Sequence, residues 1–145
     1  MGTRVDFYIG KGADAEWIGS VGNDGYRPIK GQAPGVGYAL INAKSERAFR
    51  SAVTRLFNKF SDHVPAKMGW PWPWDDSGTT DCSYWFFDGK VWDVHCKFEP
   101  CGPVWVPCDE PEPEGDVGTK YEKVVYPNMS AIRNVRGGWR PILSW

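Results

Sequence analysis

Residues of the types that bind zinc are concentrated between positions 82 and 108. They are Cys82, His95, Cys96, Cys101 and Cys108. Closed zinc sites hold the ion with four tetrahedral ligands, which usually come from closely spaced cysteine pairs. Because the spacings here are mostly wide and unequal, free buried thiols in a reducing cytoplasm are the favoured interpretation. The metal hypothesis is a zinc site formed by His95, Cys96, Cys101 and Cys108, and no other cofactor is predicted.

Three carboxylates follow the middle of the chain and could do acid–base chemistry. Asp75, Asp76 and Asp81 lie among the hydroxyls of Ser77 and Thr79. Paired carboxylates catalyse proton transfer when their surroundings separate their pKa values. The same residue types also build turns and helix caps, and this interpretation is favoured. An enzyme built on these carboxylates is therefore only an alternative hypothesis, and no catalytic residue is predicted.

The segment Trp70-Pro71-Trp72-Pro73-Trp74 presents three indoles on a stiff backbone. Alternate prolines exclude a helix and a central strand, so the backbone is expected to be extended. The rings either cover the core of the domain or bind a ligand or a protein partner. Packing is the favoured interpretation. A binding surface here comprises the residues Trp70, Trp72, Trp74, Asp75 and Asp76.

The elements that position these residues follow from hydrophobic periodicity. Residues 5–9 and 16–21 predict a first β-hairpin, and residues 82–94, with the turn Asp88-Gly89, predict a second. A stripe of apolar residues at helical spacing predicts a helix over 46–60 that is capped by Ser45. Residues 121–126 indicate one last strand. The predicted fold is a single α+β domain over 1–145, with an antiparallel sheet of about four to five strands and one amphipathic helix packed on it.

Charge is distributed unevenly, although the net charge is close to zero. Basic residues are in excess before position 73, and acidic residues are in excess after it. A near-neutral chain argues against direct nucleic-acid binding. The exposed loop predicted over 99–118 carries the acidic residues Asp109, Glu110, Glu112 and Glu114, which suit contact with a basic partner surface. No apolar run approaches the ~20 residues of a membrane span, and no signal peptide is evident, so a cytoplasmic protein without membrane contact is expected.

Several motifs resemble those of a known group of proteins. The opening residues 3–12 and 15–20, the Trp/Pro/Asp string over 69–77 and the late residues 127–129 are similar to a family of small uncharacterised proteins of bacteriophages and prophages. The stretch from 95 to 108 departs from that pattern. The family brings no chemistry with it, so no catalytic residue is transferred.

The resemblance implies a viral accessory protein that acts by binding. The leading hypothesis is a non-enzymatic phage protein that inhibits a host defence complex, in the manner of an anti-CRISPR protein, by protein–protein contact. The alternative is a protein that binds or sequesters a nucleotide signal in an aromatic pocket. Its candidate stacking residues are Trp72, Trp74, Tyr84 and Trp92.

Overall fold

The computed structural model describes residues 4–22, 40–95, 103–108 and 121–133. These residues form a six-stranded mixed sheet with a 14-residue helix on one face. The predicted α+β class is therefore confirmed. Within the described ranges, no helix combines the length and the apolar character needed to cross a membrane.

The sheet has the strand order β3-β2-β1-β4-β5-β6. Its strands are β1 (Val5–Ile9), β2 (Glu16–Val21), β3 (His63–Pro65), β4 (Cys82–Phe87), β5 (Lys90–His95) and β6 (Val106–Pro107). The helix is α1 (Glu46–Lys59), and short 3-10 helices cover Gly12–Asp14, Ala66–Met68 and Ser130–Ile132. Adjacent strands are antiparallel except β1 and β4, which are parallel.

Both predicted hairpins are confirmed, and the sheet is larger than predicted. The additional strands, β3 and β6, are short and contain proline, which edge strands tolerate because one side of their backbone needs no partner. The last strand predicted over 121–126 is wrong. This segment makes only an isolated bridge between Val104 and Lys123.

The helix forms where its cap and apolar stripe predict it. The Ser45 side chain accepts a hydrogen bond from the Ala48 amide at 3.1 Å, which satisfies an amide of the first turn. The buried face of α1 consists of Phe49, Ala52, Val53 and Leu56. The opposite face carries Arg50, whose guanidinium pairs with Glu16 at 2.6 Å. Arg47, Arg55 and Lys59, which lie outside the buried stripe of α1, are exposed.

The two faces of the sheet carry two different cores. The helix side contains aliphatic residues and phenylalanines with Tyr84, whereas the other side is built around Tyr8 and tryptophans. Trp70 and Trp72 are fully buried in this second core. They belong to the Trp–Pro segment (residues 70–77), which covers the sheet opposite α1. Strand β4 is central and covered on both faces, as its alternating rings predict.

A β-bulge interrupts the first hairpin. Phe7 pairs with Gly19 and Tyr8 pairs with Trp17, so Ile18 has no opposite residue. The bulge lets Trp17 and Ser20 face the same side of the sheet although they are an odd number of residues apart. Gly19 has a φ of +138°, and a Cβ there would lie 2.3 Å from the Phe57 ring. The glycine is thus required for the helix to approach the sheet.

Candidate functional site

An aromatic cleft of about 440 Å³ opens at one end of the sheet. It is lined by Lys11, Phe87, Asp88, Lys90, Trp92, Trp105, Pro107, Tyr121 and Glu122. We call these residues the aromatic cleft. Its volume lies within the range typical of small-molecule sites, about 300–1,000 Å³.

The parallel pairing of β1 and β4 brings the cleft residues together. Ile9 aligns with Phe86, and the Gly10 amide donates to the Phe86 carbonyl at 2.9 Å. The loop after β1 and the turn after β4 therefore leave the sheet at the same end. This register places Lys11 beside the ring of Phe87, with its ammonium 5.6 Å from the ring centroid.

Phe87 is the central ring of the cleft. The Trp92 ring stacks on it with centroids 4.6 Å apart and planes only 1° from parallel. Trp105 meets it edge-on at 5.6 Å. Phe87 and Trp92 are half-buried, so part of each remains accessible. Such a rigid, partly open group of rings can hold a flat ligand by stacking.

The lysines of the cleft differ in their partners. Lys11 forms an ion pair with Glu122 at 2.7 Å. Lys90 lies 5.5 Å from the Trp92 ring centroid, and no carboxylate of the described residues comes within ion-pair distance of it. The nearby Asp88 belongs to the turn between β4 and β5. It has a φ of +53° and is followed by Gly89 with a φ of +73°, and these positive values are typical of a two-residue hairpin turn, in which aspartate is favoured. Lys90 is therefore the cation of the cleft that an external anion can reach most easily.

Trp105 places a buried indole N–H beside the cleft. The residue is 3% exposed, and its Nε1 is buried without a hydrogen-bond partner among the described residues. Buried donors are normally satisfied, because an unpaired one costs about 1–3 kcal/mol. An exception of this kind needs an explanation, such as a bound water, an ion or a functional role. Because Trp105 lines the cleft, this N–H is a second feature of the same site.

A buried carboxylate, Asp6, organises the tryptophan side of the sheet. Asp6 is 0% exposed, and it accepts hydrogen bonds from Ser20 at 2.5 Å, Ser77 at 2.5 Å and the Trp72 indole at 2.6 Å. Tyr8 in turn contacts the Ser77 hydroxyl at 2.6 Å. We call these five residues the Asp6 network.

The Ser20 and Ser77 hydroxyls donate to the carboxylate, and each of them also contacts a polar atom of an aromatic side chain, Trp17 or Tyr8. The Trp17 indole can only donate, so Ser20 accepts from it at 3.0 Å and uses its own proton for Asp6. Burial raises the pKa of Asp6 above its ordinary value, and the hydrogen bonds partly oppose this. Burial, with a smaller contribution from the Asp6 charge, raises the pKa of Tyr8 well above its ordinary value, so Tyr8 remains a donor. The network ties the Trp–Pro segment to β1 and β2.

The Trp–Pro residues singled out by the sequence are divided between core and surface. Trp70 donates to the Trp74 carbonyl at 2.6 Å, and Trp72 donates to Asp6. Both rings are buried, which supports the packing interpretation and leaves them no face for a ligand. Trp74 is half-buried, and its ring stacks on Trp72.

The acidic residues after the tryptophans, Asp75, Asp76 and Asp81, each have a partner within the protein. Asp75 forms an ion pair with Arg133 at 2.6 Å, and its carbonyl accepts from the Met129 amide. Asp76 accepts from the Gly78 amide at 2.8 Å, which is the hydrogen bond of an Asx turn. Asp81 pairs with Arg4 at 3.2 Å. The contact of Asp76 supports the turn interpretation, whereas Asp75 and Asp81 form ion pairs with residues distant in the chain.

Part of the predicted site lies outside the described residues. This holds for the acidic loop residues Asp109, Glu110, Glu112 and Glu114, for Cys96 and Cys101, and for the side chain of His95. Cys82 and Cys108, the cysteines within the described residues, are both buried. No group of three metal-ligating side chains occurs within the described part of the chain. The zinc hypothesis therefore stays a prediction.

Sequence reasoning named only Trp92 among the residues of the aromatic cleft. It missed Lys11, Trp105 and Glu122, because they come from separate segments that no local pattern links. It also missed Phe87, which lies in the same predicted hairpin as Trp92. It also missed Asp6. A charged residue inside the apolar strand Val5–Ile9 was the available signal, because such a carboxylate is buried only with hydrogen-bond partners.

Comparison with protein-family models, with curated protein sequences and with solved structures finds no significant match. The resemblance to phage proteins therefore stays a prediction. Any function must be argued from the geometry of the site.

Proposed function

We propose that this protein is a non-enzymatic binding protein whose aromatic cleft holds a small, flat, anionic ligand of the nucleotide class. The single observation that carries the proposal is the combination of stacked rings with an accessible ammonium. Phe87 and Trp92 supply the rings, and Lys90 supplies the charge. A base stacked on an aromatic ring is worth about 1–3 kcal/mol and requires no particular base.

The resting contacts of Lys90 are weak enough to be exchanged for a ligand. An exposed lysine over an aromatic ring contributes only about 0.5–1 kcal/mol. A base entering over Trp92 displaces the ammonium from that ring, and the freed ammonium can then meet the phosphate of the same ligand. Rings and lysine thus recognise the two halves of a mononucleotide. Action in the cytoplasm is part of this proposal.

Isothermal titration calorimetry with AMP and adenosine tests the proposal. We expect AMP to bind and to quench tryptophan fluorescence. Replacement of the stacking ring, Trp92→Ala, should weaken AMP by at least about fivefold. Lys90→Met should weaken AMP by about tenfold and should not weaken adenosine, because the phosphate contact is the only ligand contact that is lost.

Matched variants control for indirect effects. Lys59 lies over the Phe60 ring at the end of α1, outside the cleft, so Lys59→Met should bind AMP like the wild type. Trp74→Ala is the matched control for Trp92→Ala. It removes a half-buried indole outside the cleft and should leave the affinity for AMP unchanged. Failure of AMP and other mononucleotides to bind, with the fold intact by circular dichroism, would reject the proposal.

The inhibition of a host defence complex by protein contact remains a separate hypothesis. It depends on the acidic residues Asp109, Glu110, Glu112 and Glu114, whose structure is not described. It predicts a salt-sensitive stoichiometric complex in pull-downs from a host lysate. Capture of a partner that survives Trp92→Ala would favour this hypothesis over the cleft.

A further inference from the structure

Glu122 occupies the position in the aromatic cleft that an anionic ligand would need. Its carboxylate lies 2.7 Å from the Lys11 ammonium. That ammonium is also 5.6 Å from the Phe87 ring centroid and 5.4 Å from that of Trp105. An anion approaching these rings therefore meets a lysine that already has a carboxylate partner.

The backbone around Glu122 is held in place, while its side chain is free to turn away. The Trp105 amide donates to the Glu122 carbonyl at 3.1 Å, and the Val124 amide donates to the Pro103 carbonyl at 3.1 Å. The Glu122 side chain is 62% exposed, in contrast to this fixed backbone. The ion pair can thus open by rotation of the Glu122 side chain, without movement of the backbone around it.

We infer that Glu122 is an internal competitor for the ligand's anionic group, and that a terminal phosphomonoester displaces it from Lys11 whereas a singly charged phosphodiester does not. This inference rests on the proposed function. A phosphomonoester carries about −1.5 to −2 charges at pH 7. The phosphomonoester therefore attracts the Lys11 ammonium more strongly than the singly charged Glu122 carboxylate does. A phosphodiester with one charge would only replace an interaction of equal strength.

Four proteins titrated with three ligands test the inference. The proteins are the wild type, Glu122→Gln, Lys11→Met and the double variant. The ligands are adenosine, AMP and the methyl ester of AMP, which carries one negative charge. In the wild type we expect AMP to bind more tightly than the methyl ester, and the methyl ester more tightly than adenosine, because Lys90 still meets its single charge.

Glu122→Gln should change this pattern in a specific way. The affinity for AMP and for its methyl ester should rise by about twofold to fivefold, the size expected when an exposed ion pair no longer has to be broken. The affinity for adenosine should not change. In the Lys11→Met background the same substitution should have no effect, because the contested ammonium is gone.

The outcomes separate this inference from the function on which it rests. Binding of AMP that Glu122→Gln leaves unchanged, or an equal gain for adenosine, overturns the inference alone. Absence of binding by all three ligands to the wild type and to Glu122→Gln overturns both. The control is Glu16→Gln, which breaks the 2.6 Å ion pair with Arg50 outside the cleft and should leave all three affinities unchanged.

Discussion

The indole N–H of Trp72 donates to the carboxylate of Asp6 at 2.6 Å, across 66 positions of the chain. This bond joins the Trp–Pro segment to the first strand, deep in the tryptophan core. Above the raised pKa of Asp6 the acceptor is charged, and a hydrogen bond to a charged acceptor is worth about 1.5–3 kcal/mol, compared with about 0.5–1.5 kcal/mol for a neutral pair. The bond therefore stabilises the packing of the Trp–Pro segment on the sheet more than a hydrogen bond from an indole to a neutral acceptor would.

Replacement of this indole by phenylalanine measures the contribution of the bond. Trp72→Phe should lower the free energy of unfolding by about 1 kcal/mol more than Trp70→Phe. Both rings are fully buried, but the Trp70 N–H donates to a neutral carbonyl, that of Trp74, at 2.6 Å. Urea denaturation of the two variants checks this difference. Equal losses would show that the charge of Asp6 adds nothing to the bond.

The pH dependence of stability should report the burial of Asp6. Because the pKa of Asp6 is raised in the folded protein, the folded state binds more protons than the unfolded state between about pH 4 and that raised pKa. In this window the free energy of unfolding of the wild type should fall relative to that of Asp6→Asn as the pH rises. Above the raised pKa, the difference in free energy between the two proteins should stay constant.

Thermal melts at a series of pH values check the sign of this effect. Asp76→Asn, which removes one negative charge from an Asx turn, controls for the change in net charge. A wild type that instead gains stability over Asp6→Asn with rising pH would mean that the hydrogen bonds outweigh burial at Asp6.

Gly19 should be the glycine least tolerant of a side chain in the first hairpin. An added Cβ would lie 2.3 Å from the Phe57 ring and 2.9 Å from the Val64 carbonyl oxygen. Overpacking costs about 1–3 kcal/mol, in addition to the strain of a positive φ. Gly12 also has a positive φ, but no atom lies within 4 Å of its Cβ position. Gly19→Ala should therefore lower the melting temperature clearly more than Gly12→Ala, and a similar shift in both would contradict the close approach.

Local patterns in the sequence predicted the elements of this protein well. The Ser45 cap and the apolar stripe identified α1, and Asp88-Gly89 identified the turn between β4 and β5. These features are encoded by neighbouring residues, because capping, periodicity and turn geometry act over a few positions. The prolines between the tryptophans likewise indicated a stiff covering segment.

Tertiary structure alone decided how these elements meet. The parallel pairing of β1 with β4 places Lys11 beside Phe87, and the bulge at Ile18 places Trp17 beside Ser20. Both depend on contacts between distant parts of the chain, for which the sequence carries no local signal. The aromatic cleft and the Asp6 network exist for this reason: their residues come from separate segments, and packing of the sheet brings them within reach of one another.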